Sequence, residues 1–283
     1  MLDSLTPESI YAELMMDEDQ VKAFLLVEGP DEVAILFGHL ANGVSSVVCG
    51  GKRNVIGAAN IALAQLETPT FGLVDRDFDG VRATSPIIPS RVAQTSSYDL
   101  LSDIVHNVEH SIRRVMSAHS AGGTAMIEDR RSMPVECVVF EVGCGLAPVR
   151  LASLEEGFPL IFRDYNFSGV LDSTYKAPDA SGFIEGARCK DPLFDVDAMV
   201  HSAIDRARDT LDGDVYRVGG HDIVGIIVGL LRSAGSRNIS RKAIEASLIT
   251  CATSRVLVGL DCISKLTDIG RTEAGIELLD LAA

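Results

Sequence analysis

Over the first third of the chain the apolar residues come in short unbroken runs rather than in strict alternation. "KAFLLVEG" (22–29), "SSVVCGG" (45–51) and "TFGLVD" (70–75) each end in glycine or an acid. Runs of this length, bounded by turn residues, suit strands buried on both faces of a parallel sheet. "PDEVAILFGHLAN" (30–42) opens with proline and two acids, and "KRNVIGAANIALAQLE" (52–67) follows a glycine pair; both predict helices. Pro7, with Thr6 as its cap, predicts an earlier helix of about ten residues. "RVAQTS" (91–96) is a candidate fourth strand, and "YDLLSDIVHNVEHSIRRVMSAH" (98–119) predicts one long amphipathic helix. Strand and helix alternating over short connections predict an α/β fold with a parallel sheet and right-handed crossovers.

Farther along, the glycine- and charge-rich "SAGGTAMIEDRRSMP" (120–134) reads as a linker, residues 135–142 as a strand, and the chain from about 193 as mainly helical. "IVGIIVGLL", Ile223 to Leu231, reads as a buried helix and is too short to span a bilayer. The expected organisation is an N-terminal helix (1–19), an α/β core (20–120) and a C-terminal region passing from α/β to helical (121–283).

Composition narrows the function classes. The chain has 283 residues, 47% hydrophobic and 23% charged, which is a globular balance. The acidic N-terminus lacks the pattern of a secretory signal, so the expected location is cytoplasmic with no membrane role. Six cysteines show no CxxC pair, which predicts free thiols. The net charge of −15 excludes an autonomous, tight nucleic-acid binder, because phosphate contacts are driven by Lys and Arg. Any such contact needs a local basic patch, metal ions or a partner that supplies positive surface.

The candidate chemistry begins at "LVDRDFDG" (73–80), three aspartates at alternate positions closed by glycine. Asp75, Asp77, Asp79 and Gly80 match the first positions of a calcium-binding EF-hand loop. The position that must be glutamate is Pro86, however, and a strand precedes the loop where a helix is required. A magnesium site fits better. Ligands of parallel sheets bind at the carboxyl ends of strands, and Glu28 and Asp75 end the first and third, with Asp77 two residues on. Hard oxygen ligands of this kind bring Mg²⁺ (or Mn²⁺) to a phosphate. Glu32 is a further candidate ligand. Gly50, Gly51 and Lys52, between the second strand and its helix, are candidates for holding the phosphate itself. The competing reading is a solvated acidic turn.

"LVEGPDE", "CGGKRNV" and "GLVDRDFDG", in that order, resemble the TOPRIM domain of topoisomerases, primases and OLD (overcoming-lysogenisation-defect) nucleases. More narrowly they resemble a TOPRIM-like family of bacterial defence operons found beside ABC-type ATPases, which includes the nuclease subunit of PARIS-type anti-phage systems. The resemblance covers about residues 20–100, with an echo in "GGHDIVGIIVGLL" (219–231). It implies a TOPRIM-like Rossmannoid core, Glu28 as acid/base or metal-ordering carboxylate, Asp75 and Asp77 as metal ligands, and Asp79, Asp99 and His221 as lesser candidates. It implies a nuclease acting on DNA or structured RNA such as tRNA, restrained by a partner ATPase, with self-association admitted. The narrower family carries Asp-x-Glu after the fourth strand; here Asp99 is followed by Leu100 and Leu101. That missing acid keeps a second reading open, a TOPRIM-like sensor or assembly subunit without chemistry.

Four other motifs carry possible chemistry. "VVFEVGCGLAP" (138–148) resembles the S-adenosylmethionine loop of Rossmann methyltransferases, with Asp164 as ribose ligand; a tight strand-to-helix turn is its plainer reading. "HNVEH" (106–110) matches a zinc-protease motif, but its histidines fall off the apolar stripe, which favours a solvated helix face. A Walker A loop ending at Gly51-Lys52 is excluded by Ser46 and Arg53. His221-Asp222 reads as a helix start stabilised by Asp222 or, through the family echo, as part of an active centre.

Overall fold

The structure is a computed structural model that describes residues 5–162, 165–189, 194–196 and 198–280. The chain divides into two compact units, one made of residues 1–76, 86–107 and 249–283, the other of 77–85 and 108–248.

The first unit is an α/β layer structure. It runs through α1 (Pro7–Asp17), β1 (Ala23–Val27), α2 (Pro30–Leu36), β2 (Val44–Val48), α3 (Lys52–Gln65), β3 (Thr70–Val74), β4 (Val92–Gln94) and α4 (Leu100–Asn107). The four strands form one all-parallel sheet in the order β2-β1-β3-β4. All five residues of β1 and all five of β3 are buried, as their unbroken apolar runs require. Phe24, Leu26 and Val74 pack with Ile10 and Leu14 of α1 and with Val55, Ala58 and Ala62 of α3. Thr6 caps α1 in a reciprocal capping box with Ser9, ahead of Pro7.

The C-terminal segment completes this unit with α12 (Ser254–Val258) and α13 (Asp261–Ile269), and α13 packs on β3 and β4. The last described residues return beside the loop after α2, where the Ala41 N–H donates to the Leu278 carbonyl and the Asp280 N–H to the His39 carbonyl. A core ending at residue 120 is therefore corrected: residues 108–120 cluster with the second unit and residues 249–283 with the first.

The second unit is built from α5 (Ser111–Arg131), α6 (Val135–Glu156), α7 (Phe167–Val170), α8 (Ala180–Gly186), α9 (Ala198–Leu211), α10 (Gly220–Ser233) and most of α11 (Arg241–Ile249), with a short antiparallel pair, β5 (Leu160–Ile161) and β6 (Arg188–Cys189). Residues 222–231 of α10 are all buried, which bears out the buried-helix reading of that run. α6 is long and apolar enough to cross a membrane by composition, with a mean hydropathy of 1.6, but 61% of that window is buried inside the protein. Its partners are α5, α8, α9 and α10.

Three expectations are overturned here. The predicted linker (120–134) is the second half of α5, Ser132, Met133 and Pro134 apart. At Ser120 (φ −163°, ψ 85°) the helix is interrupted, and the Ser120 hydroxyl accepts the Gly123 N–H, restarting the helix with the kind of cap that polar residues supply. The expected strand at 135–142 is the first part of α6, because Val135, Val138, Val139, Val142 and Leu146 recur at helical spacing and are all buried. The single long helix at 98–119 is two. α4 stops at Asn107, whose side-chain amide turns back to the Asp103 carbonyl, and His110 has a left-handed φ of 55° before α5 begins.

Candidate functional site

The order β2-β1-β3-β4 places the reversal of winding between β1 and β3. The chain leaves β1 outward to β2, then crosses to β3 on the other side. Ligands of open parallel sheets bind outside the carboxyl ends at such a point. Val27 is in register with Leu73, so Glu28 and Asp75 leave adjacent strands within a residue of one another. The Asp75 N–H donates to Glu28 Oε1 at 2.8 Å, which fixes the Glu28 carboxylate at the end of β3. Lys52 reaches the same place from the start of α3, with Nζ 3.4 Å from the Arg76 carbonyl. The structure thus gathers Glu28, Asp75 and Lys52 at one sheet end.

Gly50 and Gly51 have a different role from the one expected. Their N–H groups donate to the Glu28 carbonyl at 2.9 and 3.1 Å, stitching the end of β2 to the end of β1. Both residues have positive φ, 73° and 124°, a backbone that glycine adopts without strain. A phosphate at this edge would meet the Lys52 ammonium rather than those two amides, and the phosphate-cradle assignment of Gly50 and Gly51 is corrected accordingly.

Glu32, the further candidate ligand, caps the start of α2: its Oε2 accepts the Gly29 N–H at 2.7 Å. It is buried, and its pKa is raised, first by loss of solvent and then by the negative charges of Asp31 and Asp99. A buried carboxyl crowded by two other acids is a setting that a divalent cation relieves. Because the folded protein holds this proton more tightly than the unfolded chain, Glu32 lowers stability as pH rises above the ordinary glutamate value of 4.5. In metal-free buffer Glu32→Gln, which keeps an oxygen for the Gly29 N–H, is expected to melt above the wild type at neutral pH. The gap should close as pH falls below that value. Thermal melts across pH check this, and parallel curves would contradict it.

Asp99 serves as the N-cap of α4: Oδ1 accepts the Ser102 N–H at 2.8 Å, and the Ser102 hydroxyl accepts the Asp99 N–H. The acid that sequence reasoning missed is Asp103. It is 1% exposed, and its two oxygens accept the N–H groups of Ser97 (2.6 Å) and Ser96 (3.0 Å). The loop it holds reaches the site, because the Thr95 hydroxyl accepts the Arg76 N–H at 2.8 Å and the Arg76 guanidinium donates to the Ser96 carbonyl at 2.7 Å. The available signal was a lone acid inside the apolar run "LLSDIV" (100–105).

In the second unit, the turn that follows Asp75 is not a loosely solvated loop. Phe78 and Asp79 are buried, and Asp77 takes a left-handed φ of 50°. Arg217, itself buried, donates from Nη1 to the carbonyls of Asp77 (3.1 Å) and Asp79 (3.0 Å). Asp79 is thus part of an anchored turn.

His221 has a side chain 56% exposed, with Nε2 3.9 Å from Glu245 Oε1. Asp222 sits in the first turn of α10 and pairs with Arg150 at 2.6 Å, which supports the helix-start reading of this dipeptide.

The rival motifs lose their geometry. "VGCGLAP" lies within α6 rather than after a strand. A Cβ on Gly143 would meet Val218 at 2.4 Å and one on Gly145 would meet Phe183 at 2.9 Å, so these glycines admit neighbouring side chains and do not form a cofactor turn. Asp164, the ribose candidate, lies outside the described residues. In "HNVEH", His106 is on α4 and His110 follows its end, so the two histidines do not share a helix. No family model matches the chain, and neither a curated protein nor a solved structure does.

Proposed function

We propose that the protein is a TOPRIM-like, metal-dependent nuclease, the effector of a bacterial anti-phage system held in check by a partner ATPase. One observation carries the chemical part of this reading: Glu28 and Asp75 leave adjacent parallel strands at the winding reversal and are joined by a 2.8 Å hydrogen bond. The donor set fits a hard divalent cation, since it is all carboxylate: Glu28 and Asp75, with Asp77 two residues along the chain and Glu32 in the adjoining first turn of α2. Mg²⁺ or Mn²⁺ would supply Lewis-acid stabilisation of phosphate charge and a more acidic water. The chain's own part is to orient Glu28 through the Asp75 N–H, to offer a carboxylate that takes up a proton, and to set Lys52 where negative charge develops. The net charge of −15 favours a partner that supplies positive surface for the nucleic acid, which agrees with control by an ATPase.

The second reading, a module that senses or assembles without cleaving, is favoured by the inward-turned amides of Gly50 and Gly51 and by the capping role of Asp99. One assay separates the two. The protein, co-expressed with its neighbouring ATPase and triggered, is incubated with duplex DNA and with tRNA in Mg²⁺ and in EDTA. Cleavage of either substrate that EDTA abolishes is expected, and intact substrates under every condition would leave the non-catalytic reading standing.

A further inference from the structure

The second unit carries a cavity of about 350 Å³ between α7 and α10, whose walls include Asn166, Ser168, Gly225, Gly229, Arg232 and Arg241. Its chemistry runs against the rest of the chain. The protein has 40 acids and 25 Lys and Arg, yet among the described residues no carboxylate lines this cavity and two guanidiniums do. Each is oriented by one backbone carbonyl: Arg232 Nη2 donates to Ile239 at 2.8 Å, and Arg241 Nη2 donates to His221 at 3.0 Å. A guanidinium has five N–H donors, so each fork keeps donors beyond the one that fixes it. Among the described residues, no carboxylate lies within ion-pair distance of either. Asn166 adds to the same polarity. Its Oδ1 accepts the Ser168 hydroxyl at 2.7 Å, which leaves its amide NH₂ as the group to offer a ligand.

We infer that this cavity is a binding site for the phosphate group of a nucleotide. Planar forks matched to phosphate oxygens, in a wall whose described residues include no acid, suit oxyanion recognition. The volume is at the small end of the usual range for ligand sites, about 300–1,000 Å³. It admits a phosphate with its adjoining sugar, while Phe167 and Val228 give the cavity an apolar side. Close packing of α7 on α10 shapes it: a Cβ on Gly229 would stand 2.5 Å from Phe167 Cβ. The inference does not rest on the nuclease reading, since all of these residues lie in the second unit and Glu28 and Asp75 in the first.

The test titrates the full chain with inorganic phosphate, AMP and a short single-stranded oligonucleotide, by calorimetry and by thermal shift. Saturable binding of at least one is expected. Arg232→Gln and Arg241→Gln are each expected to weaken it by about tenfold or more, and Arg241→Lys, which keeps the charge without the fork, by less. Binding of AMP without the oligonucleotide assigns the phosphate to a free nucleotide, and the converse assigns it to a nucleic-acid backbone. Arg232→Gln also removes the bond to Ile239, so its ligand-free melting is measured alongside, and Arg241→Gln carries the test should Arg232→Gln unfold. Equal affinity in wild type and Arg241→Gln, or no binding of any of the three probes at millimolar concentration, would overturn the inference.

Discussion

Glu28→Gln is expected to lower phosphodiester cleavage by between about a hundred- and ten-thousand-fold, the range over which a positioned proton-transferring carboxylate contributes to catalysis. Melting is expected to stay close to that of the wild type. Glutamine is chosen because Glu28 has two separable roles. Its Oε1 accepts the Asp75 N–H and ties the end of β1 to the end of β3, and a glutamine oxygen can keep that bond. The Glu28 backbone carbonyl, which receives the N–H groups of Gly50 and Gly51, is untouched. What glutamine removes is the charge, and with it the ability to accept a proton or to hold a divalent cation. Glu28→Ala would remove the bond between the strand ends as well, so a loss there would confuse folding with chemistry. Cleavage by Glu28→Gln at the wild-type rate, measured on DNA and tRNA with Mg²⁺, would remove Glu28 from the chemistry and with it the main support for a nuclease.

The sheet was legible because its signals are local. Each of the four strands was found within a few residues from an apolar run and its flanking turn residues, and proline with first-turn acids marked the start of α2. Adjacency of Glu28 and Asp75 was legible only as an expectation, since strand order is set by long-range pairing. The second unit was read less well, for physical reasons. Valine-rich sequence at 135–142 has strand propensity, yet the neighbours of α6 select a helix, and propensity is a weak term beside burial of a 22-residue helix. Gly143 and Gly145 resembled a cofactor loop, because a glycine needed for close packing has the same letter as one needed for a turn. Ser120 and its glycines looked like a linker because a serine that restarts a helix uses the same polar chemistry as one that ends it. The C-terminal return of residues 249–283 to the first unit left no local signal, since it depends on contacts with residues more than two hundred positions earlier, such as Leu40 with Leu279.

Asp103 is where a single substitution should cost the fold most for its size. Asp103→Ala deletes both oxygens that receive the N–H groups of Ser96 and Ser97, at a position 1% exposed to water. A buried donor stripped of its partner costs about 1–3 kcal/mol; Ser97 is buried and Ser96 half-buried, where water replaces part of the lost bond, so the expected loss is roughly 2–4 kcal/mol. The Cys262 thiol adds to the dependence. Its Sγ lies 3.7 Å from Asp103 Oδ2, and burial, together with the Asp103 charge, pushes its pKa upward, so it remains a protonated donor that would also lose its acceptor. Asp103→Asn provides the control: it keeps one acceptor and turns an NH₂ group toward the other donor, so its loss should be close to that of alanine if both bonds matter and near zero if one suffices. The consequence reaches the candidate site through residues already in contact. Ser96 and Thr95 hold Arg76, and Arg76 follows Asp75, so loosening the 95–97 loop releases the backbone that positions the carboxylate. Urea unfolding should show a lower midpoint with an unchanged slope, and cleavage at permissive temperature should fall more in Asp103→Ala than its folded fraction explains. A loss below about 0.5 kcal/mol, the scale of an ordinary surface substitution, would mean that water replaces both bonds and that Asp103 does not hold the loop.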